Sequence, residues 1–258
     1  MKIAIVTGAS SGIGREFVYA IDRYNEQHGL FLDSIWVVAR RADCLEELSK
    51  DCRTSIRPFP LDLSNPTCVE SLGATLASET PQVHFLVNAA GFGIFGSFKD
   101  NDAKAQLGII DLNDRSLTAM CSMVIPYMHN GSSLINIGSN SSWQPVPYMA
   151  AYAASKAYVL SLSRALGVEL KPQGIHVMCV CPGWIKTEFF DHAVHDDTVK
   201  YYDRFYTARQ VVDKAMKDLL RKKPVSILGF PVRMQVRLVK HLPVGMVMKT
   251  WCRQQKKV

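Results

Sequence analysis

The chain has 258 residues, 48% of them hydrophobic and 21% charged, too apolar for a disordered protein and, at ~150 residues per domain, long enough for one or two domains. Seven cysteines with no C-x-x-C pair argue against a disulfide framework or a zinc site and point to a reducing cytosol. The net charge of +7 is uneven: residues 221–258 carry ten basic residues and no acidic one, while residues 1–220 hold all 23 acidic residues. No run of about 20 apolar residues could span a membrane, and the apolar start Ile3–Val6 ends at once in a glycine-rich turn, unlike a secretory leader.

In chain order, residues 3–7 read as a buried strand closed by Gly8, followed by a helix over 11–25. The alternation repeats: strand 34–39, helix 42–50, strand 55–61, helix 66–78, strand 83–88, then one long helical stretch over 101–128. Strand 133–138, helix 150–171 and strand 175–181 follow. An irregular polar stretch over 183–200 precedes helix 208–221 and strand 225–228. Short strands alternating with helices mean βαβ units and a parallel sheet covered on both faces. The expectation is an α/β fold, one doubly wound domain over 1–230 with a parallel seven-stranded sheet, and a basic amphipathic appendix over 231–258. Cys179 and Cys181 alternate along a strand and should face the same buried side.

Ligands of such a sheet bind outside the carboxyl ends of the strands, where most of the polar motifs fall. Thr7-Gly8-Ala9-Ser10-Ser11-Gly12-Ile13-Gly14 joins the first strand to the first helix. Glycines there let the backbone approach a pyrophosphate, and the free N–H groups of the helix start bind the anion. The spacing departs from G-x-G-x-x-G and lacks the Gly-Lys-Ser/Thr ending of an ATP-binding loop. The second strand ends at Ala39, followed by Arg40 and Arg41. A site for NAD normally places a carboxylate there, whereas arginine suits the 2′-phosphate of NADP(H). Tyr152 and Lys156 stand at i and i+4 on one helix face, where an ammonium should lower the phenol pKa from ~10. Ser139, Ser141 and Ser142 lie just upstream, and spacing alone does not choose among them.

The glycine-rich turn resembles that of the short-chain dehydrogenase/reductase family, and later motifs match that family in order from Thr7 to Thr187. The resemblance implies a Rossmann domain binding NADP(H) and a catalytic set of Asn113, Ser139, Tyr152 and Lys156. In that set Ser139 orients the substrate oxygen, Tyr152 exchanges its proton, Lys156 also holds the nicotinamide ribose, and Asn113 orders a relay water. It further implies cofactor contacts at Gly8, Ser10, Ser11, Gly12, Ile13, Gly14, Arg40, Arg41, Asp62, Leu63, Asn88, Ala89 and Gly91. Tyr152, Lys156, Pro182, Gly183, Ile185 and Thr187 complete that set. Ala89 stands where the family has a second asparagine, and Gly138 where it has a first serine. Other readings are a non-catalytic NADP-binding sensor or scaffold and, less readily at this length, an epimerase or dehydratase.

Phe92, Phe95, Trp143, Tyr148, Trp184, Phe189 and Phe190 could line a substrate cleft; the expected partner is a small-molecule hydrophobic carbonyl or alcohol, and these large side chains favour a bulky one, steroid- or lipid-like, over a sugar. About half of them should be core. His192 and His195 fall in the stretch expected to cover the substrate and read as loop residues, and no metal is required. A homodimer or homotetramer in the cytoplasm is expected. From Pro231 on, Val232, Val236 and Val239 recur at helical spacing beside Arg233, Arg237 and Lys240, and Pro243 should break the helix. Such a segment could dock on the body or a second subunit, or make peripheral contact with an anionic membrane. Nothing in it fits nucleic acid.

Overall fold

The structure, a computed structural model, describes residues 1–193, 198–200 and 202–256. Among the sequence expectations, those at His195 and at the final Lys257 and Val258 lie outside the described residues. Seven parallel strands form the sheet: β1 (Lys2–Thr7), β2 (Ser34–Ala39), β3 (Ile56–Pro60), β4 (Gln82–Asn88), β5 (Met128–Ile137), β6 (His176–Val180) and, as the last in space, a short strand at Val225–Ser226. Between β6 and that last strand the chain adds β7 (Trp184–Lys186) and β8 (Phe205–Thr207), a separate parallel pair, so the short strand is β9. The spatial order is β3-β2-β1-β4-β5-β6-β9. The chain reverses direction across the sheet between β1 and β4, which opens a crevice at their carboxyl ends.

The unbroken apolar strands are explained by burial on both faces. Along β1, Ala4 and Val6 face α1 (Gly12–His28), α2 (Ala42–Asp51) and α8 (Ala208–Leu220), packing with Phe17, Ile21, Leu48 and Val212. Ile3 and Ile5 face α3 (Pro66–Glu79), α5 (Leu117–Val124) and α6 (Ala150–Glu169), packing with Trp36, Leu72, Met120 and Val159. Cys179 and Cys181 point to this second face, fully buried, with sulfurs 3.6 Å apart.

Three expectations need correction. The stretch 101–128 is not one helix: α4 (Ala103–Ile110) passes through a π-helical turn at Asp111–Ser116 into α5, and the chain is already extended at Met128. Strand β9 holds only two residues, since it pairs on one side alone. Within the stretch 183–200, expected to be irregular, the chain forms β7 and α7 (Phe189–Ala193).

The C-terminal segment forms α9 (Phe230–Val239) and α10 (Val244–Gln254) with Pro243 between them. Pro231 sits in the first turn of α9, where its missing N–H costs nothing. Both helices return to the carboxyl end of the sheet. Val232, Val236 and Val247 are buried, the Trp251 indole donates to the Pro147 carbonyl at 3.0 Å, and its ring stacks on Trp184. Lys240 and Arg164 clasp the Trp143 ring at 4.0 and 4.4 Å, tying the end of α9 to α6.

Candidate active site

A cavity of about 1290 Å³ fills the crevice, more than the ~300–1000 Å³ of an ordinary small-molecule site. One part of its wall is the β1–α1 turn. Gly8 has φ +66°, and a Cβ there would lie 2.7 Å from the Ala90 nitrogen, so only glycine lets this turn pass the β4 loop. Thr7 fixes the same approach, its hydroxyl oxygen accepting the Ala89 and Ala90 N–H groups at 3.1 Å each. Ser10 through Gly14 line the cavity. The Ser11 side chain makes no cap bond and the first turn of α1 has no acidic residue, which leaves that helix end open to an anion.

At the end of β2, Ala39, Arg40 and Arg41 line the wall with no carboxylate among them. The Arg41 guanidinium donates to the Ser10 hydroxyl at 3.2 Å and to Glu188 at 2.8 Å, so it bridges toward the segment after β7. Asp62, Leu63, Ala89, Gly91, Pro182, Gly183, Ile185 and Thr187 also reach the cavity. Asn88 does not line it. Its amide donates to Asn136 at 2.9 Å, and Asn136 donates to Ser163 at 3.0 Å, a buried polar chain that joins β4, β5 and α6.

Ser139, Tyr152 and Lys156 meet on the same wall. Ser139 caps the short turn Asn140–Trp143: its hydroxyl oxygen accepts the Ser141 N–H at 3.1 Å, and Ser142 accepts the Ser139 N–H at 3.0 Å. Ser141 lines the cavity as well, whereas Ser142 serves the cap. Lys156 is almost fully buried and donates to the Ile137 carbonyl at 2.9 Å. Burial lowers its pKa to about 8, although Cys179 and Asp114 favour its charged form. Burial pushes the Tyr152 phenol up to about 12, with the Ser139 hydroxyl pulling it partly back. The expected depression of the phenol by Lys156 is therefore corrected: the ammonium lies 5.8 Å from the ring centroid and is engaged with a carbonyl, and desolvation wins.

Asn113 lies in the π-helical turn, fully buried and off the cavity surface. It accepts the Phe92 N–H at 3.0 Å, donates to the Phe92 carbonyl at 2.9 Å and donates to Ser155 at 3.0 Å. A Cβ on Gly91 would sit 2.8 Å from its oxygen. The wider turn admits this side chain between the β4 loop and α6.

Of the seven aromatic candidates, Phe92, Trp184, Phe189 and Phe190 line the cavity. Phe95 is core, Trp143 lies under its two cations, and Tyr148 takes φ +66° in the loop before α6. Ile94, Val146, Met149, Leu238, Leu242, Met246 and Trp251 line it without having been singled out for that role. Leu238 comes from α9, Leu242 from the turn that follows it, and Met246 and Trp251 from α10; the apolar spacing of this segment is the signal available in the sequence.

A sequence model of the short chain dehydrogenases matches residues 2–198. The chain belongs to the short-chain dehydrogenase/reductase family. It is an oxidoreductase acting on CH–OH groups, and the fold is one that binds a nicotinamide cofactor. A 3-ketodihydrosphingosine reductase of Bacteroides thetaiotaomicron is 28% identical over 219 residues, 83% of this chain and 76% of that one. Among solved family structures, a short-chain dehydrogenase from Sphingobium yanoikuyae in complex with NADPH superposes with TM-score 0.77 at 26% identity, over 98% of this chain and 94% of that one. A bulky-bulky ketone specific alcohol dehydrogenase from Comamonas testosteroni gives TM-score 0.69 at 25% identity, over 98% and 93%.

Proposed function

We propose that the protein interconverts a bulky hydrophobic ketone, steroid- or lipid-like, and its secondary alcohol with NADP(H), Tyr152 serving as acid and base. The observation that carries this reading is the convergence of Ser139, Tyr152 and Lys156 on a cavity whose remaining wall includes Ile94, Val146, Met149, Phe189 and Trp251. The relatives that act on 3-ketodihydrosphingosine and on bulky ketones support the substrate class. The neighbour bound to NADPH supports the cofactor.

The residues present fit a dinucleotide. The open start of α1 suits its pyrophosphate, Asp62 and Leu63 the adenine, and Arg40, Arg41 and Ser10 the 2′-phosphate. Ile185 and Thr187 suit the carboxamide end, and Lys156 the ribose hydroxyls. Hydride donation or acceptance is the chemistry such a cofactor supplies when bound. In reduction, Ser139 orients the carbonyl oxygen and Tyr152 gives it a proton. A phenol held near 12 stays protonated at neutral pH and is ready to donate. Asn113 fixes the Phe92 backbone beside this pair and so positions the wall of the site.

NADPH oxidation against a panel of ketones tests the reading. Tyr152→Phe is expected to lower turnover by roughly 10²-fold or more with NADPH binding nearly intact. Near-wild-type turnover in that variant would overturn the mechanism, whereas a wild-type chain that binds NADPH but oxidises it with none of the ketones would favour a sensor. Arg41→Ala should weaken NADPH while sparing NADH, and equal loss of both would overturn the cofactor assignment.

A further inference from the structure

The turn joining α9 to α10 stands out on the surface. Every residue from Lys240 to Met246 is exposed, and the apolar ones are large: Leu242, Val244 and Met246 are 42%, 52% and 54% accessible, with Leu238 beside them at 56%. Arg237 and Lys240 precede this apolar tip, and Lys249 and Arg253 follow it, all exposed. Among the described residues, Arg237, Lys249 and Arg253 have no carboxylate partner. No acidic residue occurs anywhere from 221 to the end of the chain. Three of the four apolar side chains, Leu238, Leu242 and Met246, also line the cavity. The exposed tip and the substrate end of the site are thus one continuous apolar surface.

We propose that this tip docks on an anionic lipid surface, with Leu242, Val244 and Met246 entering the headgroup boundary and the flanking cations meeting lipid phosphates. Among the described residues no helix is long and apolar enough to cross a membrane, so the contact is peripheral. Charge selects lipid over a second copy of the chain. A two-fold contact through the tip would set two wholly basic surfaces against each other, whereas a lipid surface carries the complementary sign. An apolar substrate dissolved in the bilayer would reach the cavity along Leu238, Leu242 and Met246 without crossing water. This last step rests on the substrate class proposed above; the docking itself does not.

Sedimentation of the full chain with vesicles tests it, using phosphatidylcholine with and without phosphatidylserine. Binding to the anionic vesicles, weakened by salt, is expected. At roughly fivefold in partition per cation near the surface, Arg237→Gln, Lys249→Gln and Arg253→Gln together should lower it about a hundredfold. Val244→Asp should weaken it independently. None of these four residues lines the cavity, so NADPH binding and turnover of a small water-soluble ketone should be unchanged. Absent binding, equal binding to neutral vesicles, or retention in both variants would overturn the proposal. So would a self-association that Val244→Asp abolishes. If vesicles bind but turnover of a bilayer-dissolved ketone does not depend on docking, the surface stands and the substrate reading fails.

Discussion

Lys156 carries the most consequential charge in the site, and its environment sets a pH dependence. Burial takes its pKa down to about 8, so the free protein holds the ammonium below that value and loses it above. A ribose hydroxyl held by that ammonium loses a charged donor as pH rises. The NADPH dissociation constant should therefore climb as pH passes about 8, and Lys156→Met should bind weakly with no such rise. Tyr152 cannot produce the same limb, because its phenol titrates near 12. Glu188 bears on the cofactor from the other end, since it neutralises the Arg41 guanidinium expected to meet the 2′-phosphate. Both side chains are more than two-fifths exposed, and an exposed pair is worth at most about 1 kcal/mol. Glu188→Gln should tighten NADPH by a few-fold and leave NADH unchanged in parallel titrations. A shift common to both cofactors would show that Glu188 acts on something other than the phosphate.

The π-helical turn at Asp111–Ser116 is the element on which the geometry of the wall depends. Asn113→Ala would leave the Phe92 N–H and carbonyl without their partner, at a cost on the order of 1–3 kcal/mol for an unpaired group. The urea midpoint should fall and NADPH should bind more weakly. Thr207→Ala removes the cap of α8, whose hydroxyl accepts the Gln210 N–H at 3.2 Å; it should cost ~1 kcal/mol and leave NADPH affinity alone. Such a turn was not legible in the sequence. Residues 101–128 have the apolar spacing of one long helix, and the widening follows from a tertiary demand, the insertion of Asn113 against the β4 loop. The strands were legible because burial on both faces writes apolar runs, and the glycine turn because Gly8 admits no side chain. The sequence places Asn88 and Asn113 beside the site, and the structure adds that both side-chain amides join segments, Asn88 to Asn136 and Asn113 to Phe92 and Ser155. Spacing places a residue near a site without giving the direction of its side chain.

On the scale of the whole molecule, the cavity is closed by parts that lie far apart in the chain. Residues between Gly8 and Thr187 supply the wall proposed to face the cofactor, and α9 and α10, more than 40 positions further along the chain, add Val232, Leu238, Met246, Val247 and Trp251. The family match ends at 198, so this wall is where the chain departs from what the matched motifs describe. Trp251 joins the two regions: its indole bonds the Pro147 carbonyl just before α6, and its ring lies on Trp184 of β7. Trp251→Ala would delete that bond and that stacking, and would open the cavity between the tail and the loop before α6. Because the ring is only half-buried, the stability loss should fall below the ~3–5 kcal/mol of a fully buried tryptophan. None of the hydrogen bonds of Ser139 and Lys156, in the group proposed to be catalytic with Tyr152, depends on this contact. The variant should therefore raise KM for a bulky ketone severalfold, leave kcat/KM for a small ketone within about twofold, and leave the NADPH dissociation constant unchanged. Equal loss on large and small ketones would mean that α10 supports the catalytic group itself, and the division of the cavity into a cofactor wall and a tail-built substrate wall would fail.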